Sequence, residues 1–286
     1  MTARRWAVLG AALAEARARR WHKRAGVVGL GIGQRHRQGR WQEGPACLVV
    51  KVAWKRDRAR LRHSMLPAWI YVRVAGSRVR VHVDVQETRG ELFGTCEGIV
   101  GESVAFGGES QGAVSAVVTT REAARVVLIA GHVAPGSNRD IEIGGLSGVT
   151  LVPVMTTRLD HCLVDPVEPL SDDAGLLAGG HPVAGVAAVR ELALDQTLYV
   201  HHVDNPMRLP VVLRGIEMSA PFRYPSGVRM MSGLLATDGV TAPGDSGALL
   251  YDSAFRAVGT LVGSLSGASY FIPCERAAAM LAITFP

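Results

Sequence analysis

The chain has 286 residues, 48% of them hydrophobic, with 33 glycines and a formal net charge of +6. That length suits one large domain or two. No run approaches the about 20 consecutive apolar residues of a membrane-spanning helix, and long β-branched runs between the glycines argue for a β-rich protein with tight turns, not disorder.

The charge is uneven. Residues 1–90 carry 20 Lys and Arg against 5 Asp and Glu, while the remainder carries 11 against 20. All five tryptophans (Trp6, Trp21, Trp41, Trp54 and Trp69) fall in the first part. This shift predicts two units, a small basic α/β domain over 1–92 and a second over 93–286.

Residues 3–23 predict a helix, alanine-rich with Trp6, Leu9, Leu13 and Ala16 at helical spacing. A secretory signal is the rival reading, with Arg4 and Arg5 as its positive end. Its apolar core is interrupted by Gly10 and followed at once by Glu15 and arginines. Such a basic helix could touch an anionic membrane surface, but docking on its own domain is the simpler expectation. Gly26 to Gly33 holds four glycines without the G-x-G-x-x-G spacing of a nucleotide loop; it predicts a glycine-bearing strand, followed by a polar turn over 34–39. Further strands are expected at 47–54, 70–74 and 79–85, the last two joined as a hairpin by Ala75-Gly76-Ser77. Arg56, Arg58, Arg60, Arg62, Arg73, Arg78 and Arg80 could meet a polyanion, either nucleic acid or an acidic protein partner. A solvated face, or pairing with the acidic second unit, is the plainer alternative.

Beyond Cys96 short strands alternate with glycine turns: 98–105, 113–119, 125–130, 139–143, 149–156 and 163–167, then 183–190, 197–203, 211–218, 228–235, 248–251, 257–262 and 269–272. Residues 171–180, with Asp172, Asp173 and several glycines, read as the connection between the two sets, and 275–282 as a closing helix.

Three local contexts carry chemistry. Gly244-Asp245-Ser246-Gly247, followed by an apolar run, fits a serine on a tight turn entering a strand, with the N–H groups of Gly244 and Ser246 able to converge as an oxyanion hole. By itself the tetrapeptide is only a good turn. A serine hydroxyl needs a base and the base an orienting acid. Both precede it: Val126 to Ala130 is a buried-strand run leading to Gly131-His132-Val133, and Asp160 opens the apolar Cys162-Leu163-Val164 segment.

In this order and these contexts the chain resembles the chymotrypsin-like (trypsin-like) serine peptidases from about Cys96 to its end, the likeness continuing in Val258 to Gly263 and Tyr270-Phe271-Ile272-Pro273. The resemblance implies a mainly β fold of two six-stranded antiparallel barrels, about 93–170 and 181–274, after an α/β extension of a kind found on some bacterial relatives. It implies a serine endopeptidase acting on a peptide or protein substrate through an acyl-enzyme, with Ser246 as nucleophile, His132 as general base and Asp160 as its orienting acid. Asp165 competes for that last role, but it precedes Pro166 and reads as a turn residue. Asp245 is expected to fix the turn rather than to react.

Relatives that cut after Arg or Lys carry an acid about six residues before the serine. Val240 stands there, with Thr241 next, and Val262, Gly263 and Ser264 would form the opposite wall, implying an uncharged side chain before the cut; Asp238 could substitute if the loop runs differently. No cofactor is implied. No metal is expected either, because Cys47, Cys96, Cys162 and Cys274 lie far apart and the adjacent His201 and His202 would point to opposite faces of a strand. His161 and His181 read as core or surface residues. The cysteine usage favours a reducing, cytoplasmic location, with secretion as the rival. The alternative to an enzyme is a binding module whose basic first domain recruits an acidic partner or nucleic acid.

Overall fold

Helix α1, Ala3–Ala18, starts at Thr2, whose hydroxyl accepts a hydrogen bond from the Arg5 N–H. In this computed structural model the described residues are 2–21, 24, 27–37, 40–52, 66–87, 103–106, 109–134, 136–143, 146–170, 172–177, 181–202, 205–224, 227–239, 241, 244–265 and 267–286. The helix buries Leu9, Ala12, Leu13 and Ala16 against a sheet of four strands: β1 (Val27–Arg37), β2 (Arg40–Val52), β3 (Trp69–Val74) and β4 (Ser77–Glu87), ordered β1-β2-β4-β3. The expected hairpin joins β3 to β4 through Ala75 and Gly76, whose positive φ values of 49° and 77° are those of a tight two-residue turn. The polar stretch expected to turn at 34–39 instead continues β1 as far as Arg37, because past a register shift between Gly33 and Arg35 β2 pairs Arg35 with Gln42, His36 with Trp41 and Arg37 with Arg40. Residues 53–65, with Arg56, Arg58, Arg60 and Arg62, lie outside the described residues.

Two closed rings of strands follow, as expected. The first comprises β5 (Ser103–Phe106), β6 (Glu109–Thr119), β7 (Arg125–Ala130), β8 (Asp140–Ile143), β9 (Leu146–Thr150) and β11 (Asp160–Pro166), with the two-residue β10 (Val154–Met155) appended to β11. Its order β11-β7-β6-β5-β8-β9 closes where β9 pairs with β11. A short pair, β12 (Leu176–Leu177) and β13 (His181–Pro182), spans the connection. The second ring comprises β14 (Thr197–His202), β15 (Asn205–Tyr224), β16 (Gly227–Asp238), β17 (Leu249–Tyr251), β18 (Ala257–Leu265) and β19 (Ala268–Pro273), and closes where β14 pairs with β15. Helix α2 (Cys274–Leu281) ends the fold. The strand expected over 183–190 is not formed: Gly185 takes a φ of +82°, and only Val186 makes a bridge, before a 3-10 turn at Val189–Glu191. Strand β15 is longer than expected. A bulge between Gly215 and Met218, with Glu217 at φ +55°, bends it so that one strand serves both ring neighbours.

The N-terminal sheet continues the second ring, because β1 pairs with β15 at Ile32–Ile216 and Gly33–Gly215. The alternating glycines of β1 explain how. A Cβ on Gly29 would stand 2.1 Å from the Ser219 carbonyl oxygen, one on Gly31 2.8 Å from the Met218 Cα, and one on Gly33 2.9 Å from the Arg214 carbonyl oxygen. On β2, Leu48, Val50 and Val52 face the helix, whereas Cys47 and Val49 join the core of the second ring with Phe222, Met231 and Tyr270. Lys51 is buried on that side too. Its ammonium donates to the Tyr270 hydroxyl, and burial pushes its pKa down to about 8.

Candidate active site

Strand β7 is buried along Val126–Ala130 and passes straight into the short turn Gly131–Val133 that holds His132. Asp160 opens the adjacent β11, whose pairing of His161 with Ala130 brings the carboxylate beneath that turn. Gly131 makes this approach possible, since a Cβ there would lie 2.8 Å from Asp160 Oδ1. The carboxylate then accepts from the His132 backbone N–H at 2.9 Å and from the imidazole Nδ1 at 2.7 Å. A third donor comes from the other ring: the Tyr224 hydroxyl, at the end of β15, donates to Asp160 Oδ2 at 2.9 Å. Burial raises the Asp160 pKa, but attraction to the His132 ring and the hydrogen bonds from His132 and Tyr224 outweigh it and hold the carboxyl below the ordinary carboxylate range. Asp165, the competitor, is exposed farther along β11, opposite Val149.

With Nδ1 engaged, Nε2 is the ring nitrogen left for chemistry. It is buried and has no hydrogen-bond partner among the described residues. The Ser246 turn lies against the same part of the first ring. The Ser246 carbonyl accepts from the Ala113 N–H at 2.7 Å, and a Cβ on neighbouring Gly112 would meet both that carbonyl oxygen, at 3.1 Å, and Val133 Cγ2, at 2.4 Å. Gly247, at φ +99°, has no room for a side chain, because its Cβ would stand 2.4 Å from the Ala113 carbonyl oxygen. Ala248 donates to the Asp245 carbonyl at 2.7 Å, closing the turn, and Gly244 before it has φ +107°. Asp245 and Ser246 are buried. The structure thus joins His132 to Asp160 and seats the Ser246 turn beside them, without a hydrogen bond from Ser246 to Nε2.

Of the expected pocket residues, Thr241 and Ser264 come together, their hydroxyls in contact, and buried Ser269 joins them at 2.6 Å from Thr241 Oγ1. Val262 is buried in the core of the second ring, Gly263 pairs with Tyr270, and Val240 lies outside the described residues. Asp238 is held by Arg214 at 2.6 Å. His161 is fully buried and ties the rings together through Nε2 to Thr260 Oγ1 at 2.7 Å; burial pushes its pKa down to about 4, so it is neutral near pH 7. His181 stacks on Phe255 at the surface. No cluster with metal-binding geometry occurs among the described residues.

Tyr224 is the site residue that sequence reasoning misses. It sits in an alternating Phe222-Arg223-Tyr224 stretch, and nothing local shows that its hydroxyl meets an acid 64 residues away.

No family model and no curated protein matches the chain. Solved structures do. The Nocardiopsis protease aligns over 66% of this chain and 97% of its own, at 18% identity and a TM-score of 0.51. A glutamic-acid-specific serine protease aligns over 66% and 100%, at 18% identity and a TM-score of 0.52. The fold is that of the chymotrypsin-like serine proteases. The chymotrypsin of Cellulomonas bogoriensis agrees, over 66% and 97%, at 20% identity and a TM-score of 0.50. Within the chymotrypsin-like fold the two rings described above are its two barrels, and the site lies where they meet.

Proposed function

We propose that the protein is a serine endopeptidase that cleaves peptide bonds through an acyl-enzyme on Ser246. The observation that carries this reading is the His132–Asp160 pair, held by two hydrogen bonds, with Nε2 left unengaged beside the Ser246 turn. Ser246 Oγ attacks the scissile carbonyl carbon while its proton passes to Nε2. The carbonyl oxygen takes up the negative charge and is met by the N–H groups of Gly244 and Ser246. Collapse of the adduct breaks the C–N bond, and Nε2 gives its proton to the departing amine. Water then attacks the ester by the same route in reverse, releasing the acid and restoring Ser246. Asp160 keeps the imidazole in the tautomer with its proton on Nδ1 and stabilises the imidazolium. The Ser246–Nε2 contact must form as substrate binds, as catalytic hydrogen bonds often do.

Thr241, Ser264 and Ser269 offer hydroxyls and no charge, which fits an uncharged side chain before the cut. A fluorophosphonate probe should label the full-length protein and leave Ser246→Ala and His132→Ala unlabelled. Labelling that persists in Ser246→Ala refutes the assignment.

A further inference from the structure

The outward face of the β3–β4 hairpin has no part in that chemistry. Ile70, Val72, Val81 and Val83 turn in toward helix α1, so Trp69, Tyr71 and Arg73 on β3 share the opposite face with Arg78, Arg80 and His82 on β4. Two large rings stand in solvent there, Trp69 at 40% exposure and Tyr71 at 46%. Arginines lie over both: the Arg80 guanidinium is 4.3 Å from the Trp69 ring and the Arg78 guanidinium 4.4 Å from the Tyr71 ring.

The positive charge extends past the hairpin on either side. A cavity of about 570 Å³ beside Trp69 is lined by Arg4, Arg5, Arg35 and Arg80, and one of about 400 Å³ beside Tyr71 by Arg19, Arg73 and Arg78. Among the described residues neither lining contains an Asp or Glu, and of these arginines Arg19 pairs with Glu15 at 2.7 Å. Arg4, Arg35, Arg73, Arg78 and Arg80 form no ion pair with a described carboxylate, and Asp84, farther along β4, is engaged by Gln86 at 2.9 Å. A face that existed only to be soluble would mix both signs and turn its large rings inward.

We propose that this face binds a single-stranded nucleic acid, Arg78 and Arg80 swinging off the ring faces onto its phosphates so that Trp69 and Tyr71 are bared as stacking platforms for its bases. An acidic protein would satisfy the guanidiniums but leave both rings without a counterpart, whereas every base presents a π-face. Residues two apart on a strand are about 7 Å apart, which seats one base on each ring. A duplex hides its base faces and cannot use the rings.

The test is fluorescence anisotropy with the full-length protein and labelled oligothymidylate or oligouridylate, the two arms separating DNA from RNA. A duplex of equal length and polyglutamate serve as competitors. Single strands are expected to bind, and affinity to fall steeply as salt rises from about 50 to about 200 mM. Trp69→Ala with Tyr71→Ala should weaken binding at least about tenfold with the salt slope unchanged, while Trp69→Phe, which keeps a ring, should stay close to wild type. Arg78→Ala with Arg80→Ala should reduce the salt slope by about 0.7 per arginine. Unchanged circular-dichroism melting of the variants shows that they fold. The proposal is overturned by no binding at the lowest salt, by preference for the duplex, or by polyglutamate displacing the strand while the ring substitutions do nothing. That last result would assign the face to an acidic protein.

Discussion

Replacing Tyr224 by Phe deletes one oxygen and one of the three hydrogen bonds that described residues donate to the Asp160 carboxylate. Donor and acceptor are both buried, at 5% and 2% exposure, so no water takes the vacant place. A hydrogen bond to a charged group contributes about 1.5–3 kcal/mol, which for a chain of this size lowers the melting temperature by roughly 3–12 °C. The loss has a pH signature. The folded pKa of Asp160 is depressed, so the pair contributes stability above the ordinary carboxylate range and loses it as pH falls through the folded value. Without Tyr224 that folded value rises, so the deficit of the variant is largest near neutrality and shrinks in acid, where Asp160 is protonated in both proteins. Tyr251→Phe is the matched control. Tyr251 is fully buried and its hydroxyl has no partner among the described residues, so losing that oxygen should cost under about 0.5 kcal/mol or stabilise slightly. Urea melts of the three proteins from neutral to acid pH measure both terms. Equal losses for the two variants, or a Tyr224→Phe deficit that does not depend on pH, would refute the reasoning.

Gly29→Ala drives a methyl group into the Ser219 carbonyl and should cost about 1–3 kcal/mol in chemical denaturation, whereas Gly10→Ala, in an open part of helix α1, should gain up to about 1 kcal/mol. Lys51→Met should change how stability depends on pH. The lysine pKa falls from 10.5 to about 8 on folding, so wild-type stability rises by about 3 kcal/mol between those values as the unfolded chain alone stays protonated, and the variant should lack that rise. Burial pushes the thiols of Cys47 and Cys162 up to about 12 and raises that of Cys274 as well, so iodoacetamide at neutral pH should spare all three in native protein and alkylate them in urea, as mass spectrometry of the digested chain can read.

What could be read from the sequence was whatever depends on near neighbours. The apolar run Val126–Ala130 is buried in every residue, so it announces a central strand and puts His132 at its end. Ala75-Gly76 forms the hairpin because the turn needs only its own two residues. What escaped depends on partners distant in the chain. The glycines of β1 mark a strand, but only β15 explains why they recur at every second position. Residues 183–190 carry a strand-like composition, yet the chain there bridges through Val186 alone. Tyr224 has the pattern of an ordinary core aromatic, and its hydroxyl becomes informative only when Asp160 arrives from the other barrel.

Strand β15 bears two joints. Near its middle Ile216 is stitched to Ile32, and at its far end Tyr224 grips the acid behind the imidazole. Sliding this strand along its own axis would disturb both fastenings together. The N-terminal sheet therefore cannot be treated as detachable packaging: removing it would bare the flank of the very rod that steadies Asp160.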